Sequence, residues 1–290
     1  MAINTFSLLR NTSDENRKIH TYAWFGAFFP LSLAIIVGNS IALAVFLRKT
    51  FRVKKSNYLL VNLTLADLLV GVSYAILSLM SVLASYDIFS TDINRHGNLA
   101  IETTFLLLSV NASIYTLAVI SVERVLAVFW PFHHRLAKRW HYLTAIGLVW
   151  ILSLLPILKY TFPHINWWHY FFYYCLLMTV LIIIFISYLS IWIKMKFFTK
   201  FRHCRTIQEN SKLTKTLFIV TVVSLGTWLP ETIWESVATL QEIPETKVNG
   251  MLHSILPLLV ISNSFWNVIV YSVRMPEFRR ELRLVLCKYL

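Results

Sequence analysis

The chain has 290 residues, of which 57% are hydrophobic and 14% are charged, and its formal net charge at pH 7 is +13. Its mean hydropathy of +0.62 exceeds that of ordinary soluble domains, so the composition indicates a membrane protein. The three cysteines, Cys175, Cys204 and Cys287, match neither a disulfide framework nor the spacing of a zinc motif.

Seven stretches are long and apolar enough to cross a bilayer as a helix, which takes about 20 residues. In chain order they are residues 19–47, 56–86, 96–122, 140–158, 160–193, 216–240 and 248–273. The charged residues within them are Asp67, Glu102, Glu231 and Glu235. The fifth stretch exceeds one span, so we expect it to include a short loop around TFPHIN. The pattern predicts an all-α bundle of seven transmembrane helices.

Lysine and arginine are distributed unevenly between the two sides of this predicted bundle. The loops between spans 1 and 2, 3 and 4, and 5 and 6, together with the C-terminal tail, hold 20 of the 27 basic residues. Because cytoplasmic loops carry the excess of Lys and Arg, we expect an extracellular tail at 1–20, a seven-transmembrane domain at 21–273 and a cytoplasmic segment at 274–290. The basic charge is then a signal of topology in the plasma membrane, and no nucleic-acid partner is expected.

The C-terminal segment RMPEFRRELRLVLCKYL predicts an amphipathic helix on the inner leaflet, in contact with membrane lipid. Its apolar positions, at helical spacing, are Phe278, Leu282, Val285, Leu286 and Tyr289. Arginines at 279, 280 and 283 interleave with them. Near its end, Cys287 is either a palmitoylation site or a free thiol. On the opposite side, Asn11-Thr12-Ser13 predicts a glycosylation site at Asn11.

Polar residues inside apolar spans are candidate functional residues because lipid tolerates them poorly. Asp67 is central to its stretch, and other spans supply oxygen-bearing side chains: Asn39, Ser113, Asn263, Ser264 and Asn267. A carboxylate among such groups suits a small hard cation such as Na⁺, or proton exchange. The alternative is a neutral, hydrogen-bonded carboxyl that only packs helices together.

A series of motifs runs through all seven stretches in a fixed order. They are Asn39, Asp67 in LADLL, the pair Glu123-Arg124, Trp150, Tyr188, TWLP with Trp228 and Pro230, NSFWNVIVY with Asn267 and Tyr271, and Phe278-Arg279. Their order and spacing resemble the rhodopsin-like (class A) G-protein-coupled receptors. The resemblance implies a receptor that transmits an extracellular ligand signal to a heterotrimeric G protein and has no catalytic site.

The resemblance also implies roles for these residues. Glu123 would hold Arg124 at rest, and Arg124 would contact the G protein after activation. The further activation switches would be Tyr188, Trp228, Pro230, Asn267 and Tyr271. The implied sodium pocket comprises Asp67, Ser113, Asn263, Ser264 and Asn267. The alternatives are an interfacial ion pair that caps a helix C-terminus and a tryptophan that only packs the core.

Several positions depart from the family pattern. Valine replaces the usual proline at Val180 and Val268, and Leu99 stands where a cysteine is usual. The departures at Leu99 and Val180, with a very short second outer loop, resemble the melanocortin, lysophospholipid and cannabinoid receptor group.

Acidic residues in the outer half of the bundle predict the chemistry of the ligand. Glu231 and Glu235 are four residues apart and share a helix face, and Glu102 lies one turn above Leu106. With Leu106 and Trp228 they form the predicted ligand site. Carboxylates in an apolar region need a partner or water, so we expect a ligand with positive charge or strong hydrogen-bond donors. The alternative is that Glu102 and Glu235 are solvated at the headgroup level.

The second functional hypothesis is a secondary transporter or ion-translocating protein that uses Asp67 as its coupling-ion site. Such folds often contain inverted repeats and further spans, and the sequence displays neither. An enzyme ranks third, because no histidine and aspartate cluster suggests a hydrolytic metal site.

Overall fold

The computed structural model describes residues 14–52, 55–85, 92–157, 168–197, 205–241 and 250–289. Within these ranges the regular structure is helical and no strand occurs, which confirms the all-α prediction. The α-helices are α1 Asp14–Phe46, α2 Lys49–Arg52, α3 Asn57–Ser85, α4 Asp92–Phe129, α5 Pro131–Leu136, α6 Arg139–Leu152, α7 Trp168–Phe197, α8 Arg205–Leu240, α9 Gly250–Arg274 and α10 Pro276–Tyr289. A 3-10 turn at Leu155–Ile157 follows α6.

The seven predicted stretches correspond to α1, α3, α4, α6, α7, α8 and α9. Six of these helices are long and apolar enough to cross a membrane, counted over the described residues. The remaining one, α8, contains Glu231 and Glu235. Helix α1 begins at Asp14, so its first turns lie within the predicted outer tail, and α7 begins at Trp168, after TFPHIN.

Close packing of α1 against α3 depends on a glycine. A Cβ atom added at Gly71 would lie 2.9 Å from Ile35 Cγ2 and 3.0 Å from Ile36 Cγ1. Small residues let helix backbones approach each other in a membrane, where apolar surface gives no preference for protein over lipid. Gly71 therefore places α3, which carries Asp67, directly against α1.

Two apolar clusters fill the bundle. The smaller one, near the Glu231 end, consists of Phe28, Ile35, Val70, Tyr74, Leu77, Leu106 and Ile261. The larger one continues to the Arg124 end and includes Trp228, Tyr271 and Phe278. Large apolar side chains such as Phe185 and Ile186 stay exposed on α7, as expected for a surface in contact with lipid tails.

A buried polar link joins three helices. Asn62 on α3 donates from Nδ2 to Thr116 Oγ1 of α4 at 2.8 Å. Trp150 Nε1 on α6 donates to Asn62 Oδ1 at 2.9 Å. Interhelical hydrogen bonds of this kind stabilise membrane bundles, so Trp150 holds the short fourth span against its neighbours.

Helix α10 has the predicted amphipathic character at its described side chains. Phe278 is fully buried, whereas Arg279, Arg280 and Arg283 are exposed. An unpredicted feature is Glu281, which is also buried. Its carboxylate lies 2.8 Å from Arg48 Nε and accepts a 3.0 Å hydrogen bond from Thr50 Oγ1. This ion pair fastens α10 to the junction between α1 and α2.

Candidate functional site

Asp67 is the centre of a polar cluster built from three helices. It is fully buried. Its Oδ1 accepts hydrogen bonds from Ser113 Oγ of α4 at 2.7 Å and Ser264 Oγ of α9 at 2.8 Å. Its Oδ2 accepts from Asn267 Nδ2 at 2.8 Å. The structure therefore brings three of the four predicted partners onto one carboxylate.

The oxygen atoms around Asp67 fit a sodium ion. The serine hydroxyls that donate to the carboxylate keep lone pairs that a cation can use. Asn263 Oδ1 is buried and has no hydrogen-bond partner among the described residues. Nearby, Asn39 Nδ2 donates to the backbone oxygen of Ser264 at 3.2 Å, which ties α1 to the same region. Carboxylate, hydroxyl and amide oxygens are the donors that hard cations prefer.

Glu123 and Arg124 lie near the C-terminal end of α4. Both are buried, with 7% and 9% of their surface exposed. Arg124 Nε lies 2.6 Å from Glu123 Oε2, but neither atom has an aligned hydrogen bond within the described part of the chain. The contact is therefore held by charge. The other carboxylate oxygen, Oε1, contacts Ser56 Oγ and His134 Nε2, each at 2.6 Å.

Three of the predicted switch residues, Tyr188, Trp228 and Tyr271, lie in the larger core cluster. The Tyr271 ring packs 5.4 Å from the Phe46 ring and 6.2 Å from the Phe278 ring, between centroids. Tyr188 on α7 is also buried. Tyr271 Oη and Trp228 Nε1 are both buried without a hydrogen-bond partner among the residues that the structure describes. Buried unpaired polar atoms are costly.

Pro230 lies inside α8 and is exposed. Proline removes one backbone hydrogen bond from the helix interior, two residues after Trp228. Within the described residues, two further prolines lie inside long α-helices, Pro30 in α1 and Pro257 in α9. The last span therefore keeps a helix-weakening residue although Val268 replaces the usual proline.

The two glutamates of α8 differ in their contacts. Glu235 Oε2 accepts a 3.2 Å hydrogen bond from Tyr174 Oη of α7. Glu231 Oε2 is buried and has no hydrogen-bond partner within the described ranges. Glu231 lies within electrostatic range of Tyr74 of α3 and of Glu235. Leu106 packs in the smaller apolar cluster with Tyr74.

Three further predicted site residues are Glu102, Asn11 and Cys287. Glu102 lies on α4, and its side chain falls outside the described set. Asn11 lies outside the described residues altogether. Cys287 is exposed on α10 with a free thiol, which leaves it accessible for acylation.

A comparison with known families matches this arrangement. Residues 38–271 match the family described as 7 transmembrane receptor (rhodopsin family). The chain belongs to the rhodopsin family of seven-transmembrane receptors. It is a multi-pass membrane protein with a seven-helix fold, and it functions as a G-protein-coupled receptor.

Relatives of this rhodopsin-family chain include galanin, somatostatin and neuropeptide FF receptors. Galanin receptor type 2 of Mus musculus is 29% identical over 286 residues, which cover 88% of this chain and 74% of the relative. Somatostatin receptor type 5 of Rattus norvegicus is 27% identical over 279 residues, or 86% and 74%. Neuropeptide FF receptor 2 of Rattus norvegicus is 25% identical over 134 residues, or 46% and 31%.

These relatives correct the finer placement within the rhodopsin family. They are galanin and somatostatin receptors, and not members of the melanocortin, lysophospholipid and cannabinoid group that the sequence resembled. The finer resemblance depended on missing residues at Leu99 and Val180. Single losses of a cysteine or a proline arise independently in separate lineages, so they are weak markers of descent. The comparisons also give no support to the transporter alternative.

Proposed function

We propose that this receptor responds to a peptide whose cationic group binds Glu231. Support for a peptide comes from the names of the galanin, somatostatin and neuropeptide FF receptors that the chain resembles. In the family, the aspartate that recognises classical monoamines lies in the third span, at the position that Leu106 occupies here. Leu106 is buried and carries no charge, which disfavours a classical monoamine as the ligand. A peptide ligand can place its positive charge against a residue other than the one at position 106.

Glu231 is the observation that carries the cationic part of the proposal. Its Oε2 is buried without a described hydrogen-bond partner, and an unpaired buried carboxylate oxygen is costly. Glu235 already accepts the Tyr174 hydrogen bond. An ammonium or guanidinium group of the ligand would satisfy Glu231 and gain a charge-assisted hydrogen bond.

The aromatic surroundings suit the same ligand chemistry. The rings of Trp24 and Phe28 stack with centroids 3.6 Å apart, and Tyr74 lies 5.7 Å from Phe28. Tyr74 also lies within electrostatic range of Glu231. Aromatic faces attract cations, so we propose Tyr74 as a second ligand contact.

We further infer how the signal crosses the bilayer. The Arg124 end faces the cytoplasm, because the basic loops cluster there, and the N-terminus is extracellular. On activation Arg124 leaves Glu123 and contacts the G protein. Na⁺ binds at Asp67 in the resting receptor, where its charge stabilises the ionised carboxylate.

The first experiment tests receptor activity itself. Membranes expressing the chain are assayed without ligand for nucleotide exchange on a panel of heterotrimeric G proteins. Exchange on at least one G protein supports the proposal, whereas solute flux without exchange would favour a transporter.

The second experiment tests ligand charge. Basic peptides are paired with analogues in which norleucine replaces lysine and citrulline replaces arginine, and each pair is assayed on wild type, Glu231→Gln and Glu235→Gln. We expect Glu231→Gln to lower the potency of the basic member about tenfold or more, since truncating a buried charge pair weakens binding strongly. Glu235→Gln is the matched control and should change potency less. An anionic activating ligand, or equal effects of both variants, would contradict the proposal.

A further inference from the structure

The two oxygens of the Glu123 carboxylate have different kinds of partner. Oε1 accepts from Ser56 Oγ and contacts His134 Nε2, each at 2.6 Å. Oε2 faces Arg124 Nε at 2.6 Å, without an aligned hydrogen bond among the described groups. The hydrogen-bonded oxygen and the oxygen held by arginine charge are thus separate, and one set of contacts can persist when the other is lost.

His134 reaches Glu123 because the chain folds back after α4. Helix α5 begins at Pro131, directly after Trp130, and places His134 over the carboxylate of a residue eleven positions earlier. Lys55 Nζ donates to the backbone oxygen of Ala137 at 2.7 Å and so holds the end of α5. Tyr142 Oη of α6 lies 3.4 Å from the same ring nitrogen of His134. Glu123 and Tyr142 therefore contact the same ring nitrogen, and Lys55 holds the backbone that follows His134.

We propose that His134 is a positioning residue for activation, because it holds and stabilises Glu123 after Arg124 has left. Glu123 is only 7% exposed, so its carboxylate needs partners in both conformations. When Arg124 moves to the G protein, Oε2 loses its cation, while Oε1 keeps Ser56 and His134. A donor on Oε1 also draws charge from the carboxylate and so weakens its attraction for Arg124. Both effects favour the activated receptor.

If His134 has this role, its loss should make activation rarer, a direction that a residue serving only to pack the fold does not predict. Without the His134 donor, Glu123 depends more on Arg124, so the resting pair becomes tighter and activation becomes rarer. The inference rests on the proposed release of Arg124. A donor of equal reach should replace the ring, and glutamine places its amide nitrogen at a comparable distance from the backbone.

The contact is tested by thermal unfolding of the purified receptor. Wild type, Glu123→Leu, His134→Leu and the double variant form a double-mutant cycle, because leucine at position 123 removes the acceptor that glutamine would keep. We expect the two changes to be coupled, so that His134→Leu lowers the melting temperature less in the Glu123→Leu background. Additive effects would mean that the residues do not interact and would overturn the proposal, whatever the signalling assay shows.

The role in activation is tested by ligand-free nucleotide exchange in nanodiscs with G protein in excess. We expect His134→Leu to slow exchange about fivefold, the size of one hydrogen bond to a charged group that is partly solvated. His134→Gln should restore the rate. His133→Leu, at the exposed neighbouring histidine, is the matched control and should leave the rate unchanged.

Three results of the exchange assay would also overturn the proposal. They are an unchanged or faster rate in His134→Leu, failure of His134→Gln to restore the rate, and a persisting His134→Leu effect in the Glu123→Leu background. Absence of exchange by wild type on every G protein would reject the proposed function as well. The double-mutant cycle distinguishes these cases because it needs no signalling.

Discussion

Replacement of Asp67 by asparagine removes charge from the polar cluster while keeping its shape. Asp67 accepts from Ser113, Ser264 and Asn267. In Asp67→Asn, the remaining oxygen can still accept from both serines. The new amide can donate to Asn267 once that side chain rotates to present its own oxygen. We therefore expect a folded receptor with nearly unchanged stability in the absence of sodium.

Asp67→Ala provides the contrast in magnitude. It leaves three buried donors without their acceptor, and each such loss costs about 1–3 kcal/mol. The free energy of unfolding should therefore fall by at least about 3 kcal/mol, even before the cavity is considered. A large difference between the asparagine and alanine variants would show that hydrogen bonding, and not charge, holds α3, α4 and α9 together here.

The second part of this prediction concerns how much bound sodium stabilises the folded receptor. A ligand present at ten times its Kd stabilises the folded state by about 1.4 kcal/mol, which raises the melting temperature of a protein of this size by a few degrees. We expect that shift in wild type and none in Asp67→Asn, because the variant lacks the charge that binds the cation.

The assay is thermal unfolding of purified receptor in sodium chloride and in N-methylglucamine chloride at equal ionic strength. It needs no knowledge of the ligand. Equal melting temperatures of wild type in the two salts would refute the sodium site and leave Asp67 with a structural role. A shift retained by Asp67→Asn would place the sodium effect elsewhere in the molecule.

Two further substitutions test other parts of the structure. Arg124→Ala should keep cell-surface expression and ligand affinity but lose nucleotide exchange, because Arg124 pairs with Glu123 and is proposed to contact the G protein, not the ligand. Loss of ligand binding in a well-expressed variant would argue against this role. Glu281→Ala should lower the free energy of unfolding by about 1–2 kcal/mol, because Arg48 is itself partly exposed and solvent replaces part of the lost interaction. An unchanged melting temperature would mean that the ion pair does not stabilise α10.

The sequence by itself determined the helices, because hydrophobicity is a property of each local stretch. Apolar runs of spanning length predicted the seven long helices, and the alternation of apolar residues and arginines predicted α10. Motif spacing determined the receptor family for the same reason, since it depends on position along the chain. The predicted finer subgroup was wrong because it depended on missing residues.

The family resemblance implied which residues surround Asp67, but only the tertiary structure decided the hydrogen bonds that the polar groups make. The partners of Asp67 lie 46, 197 and 200 positions away along the chain, and no local pattern connects them. Glu231 and Glu235 looked equivalent on one helix face, yet Tyr174 from a different helix donates its hydrogen bond to Glu235. His134 and Glu281 gave no signal at all, because Pro131 interrupts the helical spacing after Glu123 and the partners of Glu281 lie in the first loop. A hydrogen bond is set by where two chain segments cross, and that crossing is fixed by packing across the whole bundle.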